Sequence, residues 1–148
     1  MSKLKTFRKQ LAMGLQEKIN LSTADGLTGY KIKKFQLIGS QPGADTTTFV
    51  GQIFTVDQTG SITSDVNFSD PTLIAVSYFA DHDSSANPTS SEVIFDDVII
   101  NQDIFVNITD PDGGTNPGNF YLELEQFKLN LNESTFTTLK NLRSNQQL

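Results

Sequence analysis

Alternating apolar and polar positions run through much of the chain, and residues 119–131 form the longest such run. Leu122 and Leu124 share one phase, whereas the apolar positions from Phe127 onward take the other. Side chains alternate across a strand with a period of two, so a change of phase requires a bulge, an extra residue or a change of sheet. We interpret this run as a long antiparallel strand that bends near Gln126.

Shorter runs of alternating or β-branched residues predict further strands. In chain order they are 29–38 with a bulge at 33–34, 46–56, 62–68, 73–79, 92–95 and 104–108, with a further short element at 98–100. The segment 73–79 is almost wholly apolar, which is typical of a central strand covered on both faces. Seven to nine strands at near-regular spacing predict a mainly β fold, an antiparallel β-sandwich of jelly-roll type.

The N-terminal segment has a different spacing, with an apolar residue at every third or fourth position. These residues are Leu4, Phe7, Leu11, Leu15 and Ile19. Such spacing indicates one stripe of an amphipathic α-helix. We therefore expect a basic helical arm over residues 1–21, lying along the outside of a sheet or against a neighbouring subunit.

A second helix is predicted at the C-terminus. Asn132 is a candidate N-cap, and Phe136, Leu139 and Leu142 form a short apolar stripe after it. The 148 residues fit one domain with a single core. We expect the arm over 1–21, the β-sandwich over 29–131 and the C-terminal helix over 132–144 to belong to that domain.

The net charge of −6 is divided unevenly along the chain. Residues 1–34 hold eight Lys and Arg against two acids, a net +6, and residues 35–148 hold three against fifteen, a net −12. A basic arm on an acidic body suits docking on another copy or on a protein partner. Binding of nucleic acid is the weaker alternative, because the acidic body would repel phosphates. The residues expected to contact the partner are Phe7, Arg8, Lys9, Leu11 and Leu15.

Candidate catalytic groups are few. The chain has no Cys, and its single histidine, His82, lies between Asp81 and Asp83 in a polar loop, where we expect it to be solvated. Glu123 and Glu125 share one strand face, but a glycosidase acid needs a raised pKa, which a solvated strand face does not provide. We therefore predict a protein that is not an enzyme and that uses no cofactor.

Residues 110–114 resemble half of a calcium loop, with Asp110 and Asp112 ahead of two glycines. The twelfth position of that loop would be Tyr121 instead of the required Glu, so the EF-hand interpretation fails. We expect turn chemistry and no metal there. A simpler calcium site that also uses Asp96, Asp97 or Asp103 remains an alternative. An ion or a glycan bound by the polar loops 80–91 and 110–118 also stays open.

The N-terminus lacks the apolar region of a signal peptide, and no apolar run approaches the roughly 18 residues that span a bilayer. We therefore expect a soluble protein with no membrane partner, made in a cytoplasm.

Three further segments are residues 101–105 (NQDIF), 119–125 (NFYLELE) and 138–143 (TLKNLR). Together they resemble small virion structural proteins of tailed phages, particularly those of marine bacteria. The resemblance implies a β-rich, non-enzymatic subunit present in many copies in the virion and made in the host cytoplasm. Its partners would be other copies of itself and virion proteins such as the major capsid protein. We expect a capsid decoration protein, with a neck, tail or baseplate subunit as the alternative within the virion. A carbohydrate-binding adhesin module is the alternative from a different functional class.

Overall fold

The structure, a computed structural model, describes residues 3–42, 47–81, 89–95 and 98–146. These residues form eight strands and one helix. The elements are β1 (Lys3–Leu11), β2 (Gln16–Ile19), β3 (Thr28–Gly39), β4 (Thr47–Phe54), β5 (Leu73–Asp81), β6 (Thr89–Ile94), β7 (Ile104–Thr109), β8 (Gly118–Lys128) and α1 (Leu131–Gln146).

The strands form two antiparallel sheets. The three-stranded sheet has the order β1-β8-β3, and the five-stranded sheet has the order β2-β7-β4-β5-β6. The first and last strands of the chain are therefore neighbours in one sheet, and the second and seventh are neighbours in the other. A mainly β fold with two antiparallel sheets and a C-terminal helix confirms the coarse prediction.

One hydrophobic core draws on both sheets. Phe35, Leu122 and Leu124 of the three-stranded sheet cluster with Ile53 and Ile108 of the five-stranded sheet, and all five are fully buried. Along β8, buried and half-buried positions alternate from Gly118 to Leu124, as a strand with one face on the core requires. This long strand lies at the centre of its sheet, between β1 and β3.

Several sequence predictions are confirmed in detail. The pairing of β3 with β8 shifts register between Ile32 and Lys34, where the change of phase predicted a bulge. The apolar segment that becomes β5 lies between β4 and β6. No bulge or extra residue interrupts β8 near Gln126, because its register with β3 continues unbroken through that residue. Its apolar residues change phase where the strand leaves the core.

The predicted N-terminal helix is wrong, because residues 3–11 form edge strand β1 and residues 16–19 form β2. Phe7 and Leu11 are four residues apart, and this spacing puts two side chains on one face of a helix or of a strand. Leu4 breaks a strand pattern and is exposed. Gly14, with a φ of 77°, makes the turn between the two strands, where a helix could not continue.

The strand predicted over 62–68 is also absent. Residues 55–72 instead cross the outer face of the five-stranded sheet, where the Gln52 amide donates hydrogen bonds to the carbonyls of Thr63 and Asp65. Asn67 closes a local turn by accepting a hydrogen bond from the Ser69 amide. Side chain to backbone bonding of this kind competes with a strand ladder.

The C-terminal helix is confirmed, with a different cap. Asn130 accepts a hydrogen bond from the backbone amide of Glu133 (2.8 Å), and the Glu133 carboxylate accepts one from the amide of Asn130 (3.0 Å). This reciprocal pair is a capping box. The predicted cap, Asn132, lies instead inside the first turn.

Candidate interaction surfaces

Helix α1 packs against the body of the protein through polar residues. Ser134, Thr137 and Asn141 are buried, and Thr138 beside them is partly buried. The four positions follow the i, i+3, i+4, i+7 spacing of a single helix face. In most helices of globular proteins that spacing belongs to the apolar residues, so the polarity of this helix is inverted.

The buried polar face satisfies backbone and amide groups of the body. Ser134 donates to the carbonyl oxygen of Gly26 (2.7 Å), and the Asn101 side chain donates to Thr138 (2.6 Å) and to the same Gly26 carbonyl (3.1 Å). The Asn141 side chain donates to the carbonyl of Ile99 and accepts from the Asn101 amide. Buried polar groups left without such partners would each cost about 1–3 kcal/mol.

Gly26 allows this close approach. Its φ of 66° lies in the left-handed region, and a β-carbon at this position would lie 3.1 Å from the Ser134 hydroxyl. Only glycine combines that backbone conformation with the absence of a side chain. The sequence therefore places glycine where the helix meets the body.

The opposite side of α1 presents apolar side chains to solvent. We call this set the apolar face of α1, and its members are Leu131 (73% exposed), Phe136 (68%), Leu139 (56%) and Leu142 (42%). Contiguous exposed apolar residues on a soluble protein mark interaction surfaces. The spacing of Phe136, Leu139 and Leu142 was visible in the sequence. The polar stripe at 134, 137, 138 and 141 was the signal that this face points outward.

The partner-contact residues predicted from the sequence are divided by the fold. Leu11 is buried in the core, and Phe7 is half-buried against it. Arg8 and Lys9 are exposed, and Lys9 forms an ion pair with Glu17 of β2 (2.9 Å). Leu15 is exposed next to the turn at residues 13–14. Arg8, Lys9 and Leu15 therefore keep surface positions, while Leu11 is used inside the subunit.

The positive charge of residues 1–34 is partly compensated by acidic residues of the same chain. On the outer face of the three-stranded sheet, Glu123 is the register partner of Lys34, and Glu125 is the register partner of Lys31. Opposite charges directly across two strands stabilise the pairing modestly. Basic strands β1 and β3 thus lie on either side of acidic β8 in the same subunit.

A groove of about 940 Å³ opens where edge strand β3 of one sheet approaches edge strand β6 of the other. The Glu92 carboxylate of β6 accepts a hydrogen bond from the Phe35 amide of β3 (2.8 Å) and ties the two edges together. Ser90, Ser91 and Tyr121 also line the groove. Its walls combine hydroxyl groups with buried aromatic rings.

The acids singled out from the sequence take separate roles. Glu123 accepts a hydrogen bond from the Tyr121 hydroxyl (3.0 Å), which raises the pKa of Tyr121. Asp110 accepts a bond from the Asp112 amide within a turn. Within the described ranges, no three His, Cys, Asp or Glu side chains are close enough to hold a metal ion. His82, Asp96 and Asp97 lie outside the described residues.

Asp103 ties the segment after β2 to the start of β7. Its carboxylate accepts hydrogen bonds from the amides of Leu21 (2.8 Å) and Ser22 (2.9 Å) and from the Ser22 hydroxyl. Partial burial raises the pKa of Asp103, but these bonds and Lys18 outweigh it, and the net pKa is lowered. The carboxylate is therefore a structural anchor, and its oxygens are already engaged.

The comparisons with known proteins leave the family open. No family model matches the chain, and no curated protein matches it. In the described part of the chain, no helix combines the length and the apolar character needed to cross a bilayer.

Proposed function

We propose that this protein is a non-enzymatic structural subunit of a tailed-phage virion, most specifically a capsid decoration protein that assembles as a homo-oligomer. The observation that carries the proposal is the apolar face of α1, which a single subunit leaves exposed. The resemblance of residues 101–105, 119–125 and 138–143 to small virion proteins supports the placement in a phage particle. Made in the host cytoplasm, the subunit would join the major capsid protein in the virion.

The strand order supports a jelly-roll arrangement. A hairpin of eight strands wrapped into two sheets pairs the first strand with the eighth, the second with the seventh, the third with the sixth and the fourth with the fifth. Three of these pairs are hydrogen-bonded ladders. The fourth, β3 with β6, is reduced to the bond between the Phe35 amide and Glu92. Jelly rolls are frequent in viral capsid proteins and in lectins.

A second copy of the chain suits the apolar face of α1. Glu133 lies near the start of the helix and Lys140 lies one and a half turns before its end, and both are exposed. Two antiparallel α1 helices in apolar contact would bring each Glu133 toward the Lys140 of the other copy. Such an isologous contact satisfies the twofold symmetry that is commonest among homo-oligomers.

The test is the native mass of the full-length protein, measured by light scattering on a sizing column. We expect a defined oligomer for the natural chain. The double variant Phe136→Ser and Leu139→Ser should give a folded monomer, because both side chains are exposed within the subunit. Leu4→Ser is the matched control, since it removes an exposed leucine from β1 without touching α1.

The outcomes show which end of the chain forms the contact between subunits. Dissociation by the α1 double variant alone supports assembly through the helix. Dissociation by Leu15→Ser or Arg8→Glu, with the α1 variant still oligomeric, would overturn this assignment and restore the N-terminal segment as the contact. A natural chain that remains a monomer at every concentration would rule out self-assembly.

The proposed location of this protein in the virion can be tested separately. Mass spectrometry of purified phage particles that carry this gene should find the chain at a copy number comparable with that of the capsid protein. A few copies per particle would favour a neck, tail or baseplate subunit. Absence from the particle would contradict the virion assignment.

The groove between β3 and β6 favours one function of another class, a carbohydrate-binding adhesin module. Its serines and Tyr121 could hydrogen-bond and stack on a sugar. A glycan array probed with the full-length protein tests this, with Tyr121→Ala as the variant that should lose binding. An array without a hit removes the alternative.

A further inference from the structure

The outer face of the three-stranded sheet forms one side of the groove between β3 and β6. Arg8 of β1 and Gln36 of β3 are both register partners of Tyr121 of β8, so the three side chains form one row across the sheet. Tyr121 alternates with the buried Phe120 and Leu122, which puts this row on the face away from the core. Side chains directly opposite on neighbouring strands have β-carbons about 4.5–5.5 Å apart. All three residues line the groove, so they converge on one surface.

A second row lies beside the first on the same face. Gln10 and Ile38 are the register partners of Asn119, and all three residues line the groove. Ile38 is 50% exposed and adds an apolar contact between the amides. Ser90 and Ser91 of β6 line the groove as well. The two rows cross three strands, a width of about 10 Å that has room for two linked sugar rings.

The charges of the groove select the kind of ligand that fits. Among the described residues that line it, the charged ones are Arg8, Lys9 and Glu92. Lys9 is paired with Glu17 (2.9 Å), and the Glu92 carboxylate accepts a hydrogen bond from the Phe35 amide (2.8 Å). Arg8 is exposed and forms no ion pair in the described part of the chain. The groove therefore presents one available guanidinium among uncharged amide and hydroxyl groups.

We propose that this groove binds an acidic glycan, with the Arg8 guanidinium on the carboxylate of a uronic or sialic acid. The planar guanidinium matches a carboxylate with two parallel hydrogen bonds. Tyr121 supplies an aromatic surface for a sugar ring, and the groups that hydrogen-bond sugar hydroxyls are the amides of Gln10, Gln36 and Asn119. An acidic peptide fits less well, because uncharged polar groups outnumber the cations of this lining. The inference rests on the carbohydrate-binding alternative stated above and names its ligand class.

The experiment is a glycan array probed with the full-length protein, in which each carboxylated glycan is paired with its neutral, carboxyl-reduced form. We expect binding to carboxylated forms only. The strongest acidic hit is then titrated by calorimetry. Arg8→Gln should weaken its binding about tenfold or more, because the substitution removes a hydrogen-bonded ion pair. The variant should remain folded, since the Arg8 side chain is exposed.

Lys3→Gln is the matched control, since it removes one exposed positive charge from the same strand outside the groove. Unchanged binding by this variant supports the role of Arg8. An equal loss in both variants would reduce the effect to general attraction by basic β1 and overturn the proposal. So would equally tight binding of a polyglutamate peptide, which would point to an acidic protein partner.

The array also distinguishes this inference from the function on which it rests. Equal binding of acidic and neutral forms would overturn the acidic ligand and leave the carbohydrate-binding alternative standing. An array without a hit removes both. Assembly through α1 is read separately from the native mass, which Arg8→Gln should leave unchanged.

Discussion

The two ends of the chain have similar apolar spacing but opposite structures. At the N-terminus, Phe7 and Leu11 belong to strand β1 and turn toward the core. At the C-terminus, Phe136 and Leu139 belong to helix α1 and turn toward solvent. The comparison teaches that spacing identifies residues that share a face. It does not identify the element that carries them, nor the side to which that face turns.

The short segment before β7 contributes one anchoring residue to each end of the chain. Asn101 binds α1 through a neutral amide, and Asp103 binds residues 21–22 through a carboxylate. The anchors are two residues apart and differ in charge. The difference between the N-terminal and the C-terminal end can therefore be tested by deletion, by substitution and by a change of pH.

Removal of residues 1–21 should have the largest effect. The deletion takes away β1, β2 and three buried side chains, those of Leu11, Ile19 and Leu21. Loss of a buried leucine or isoleucine side chain costs about 2–5 kcal/mol, against a total stability of about 5–15 kcal/mol. We expect an unfolded product by circular dichroism. A folded, monomeric product would show that the segment is dispensable for the core.

Matched leucine truncations at the two ends should differ clearly. Leu11→Ala should lower the free energy of unfolding by about 2–4 kcal/mol, because the side chain is buried. Leu139→Ala should change the stability of the monomer by no more than about 0.5 kcal/mol, because it is exposed. Urea titration at a concentration where the protein is monomeric measures both. Equal losses would contradict the inverted polarity of α1.

Acid should weaken the hydrogen bonds of Asp103 to residues 21–22 before it affects those of Asn101 to α1. The pKa of Asp103 is lowered from its ordinary 3.8 in the folded state, so its contribution is present above that value and is lost as the pH falls through the folded pKa. Asp103→Asn should cost about 1–2 kcal/mol at neutral pH and reduce the acid sensitivity of stability below about pH 4. Asn101→Ala should leave that sensitivity unchanged. Urea titrations from pH 2 to 7 give the comparison.

The smallest effect should come from the helix cap. Asn130→Ala should cost about 0.5–2 kcal/mol, because it leaves the Glu133 amide without its acceptor. Asn132→Ala, the position indicated by the sequence, should be nearly neutral since its side chain is exposed in the first turn. Hydrogen exchange in α1 should rise in the first variant only. The reverse result would restore Asn132 as the cap.

Local patterns in the sequence determined the strands that later form the core. Alternation identified β3 with its bulge, β7 and β8, and the apolar segment identified β5, because burial on one or both faces leaves a direct mark on residue type. The C-terminal helix followed from its own spacing. These features depend on neighbours along the chain.

Only the tertiary structure decided how the ends are used and where polar groups meet. An interval of four residues satisfies both a helix and a strand, so pairing with β8 made residues 3–11 a strand. Gln52 and Asn107 are 55 positions apart, and sheet register alone makes them neighbours on adjacent strands. The outward turn of α1 likewise depends on Gly26 and Asn101, which lie far from it in sequence. Long-range contacts of this kind leave no periodic signal along the chain.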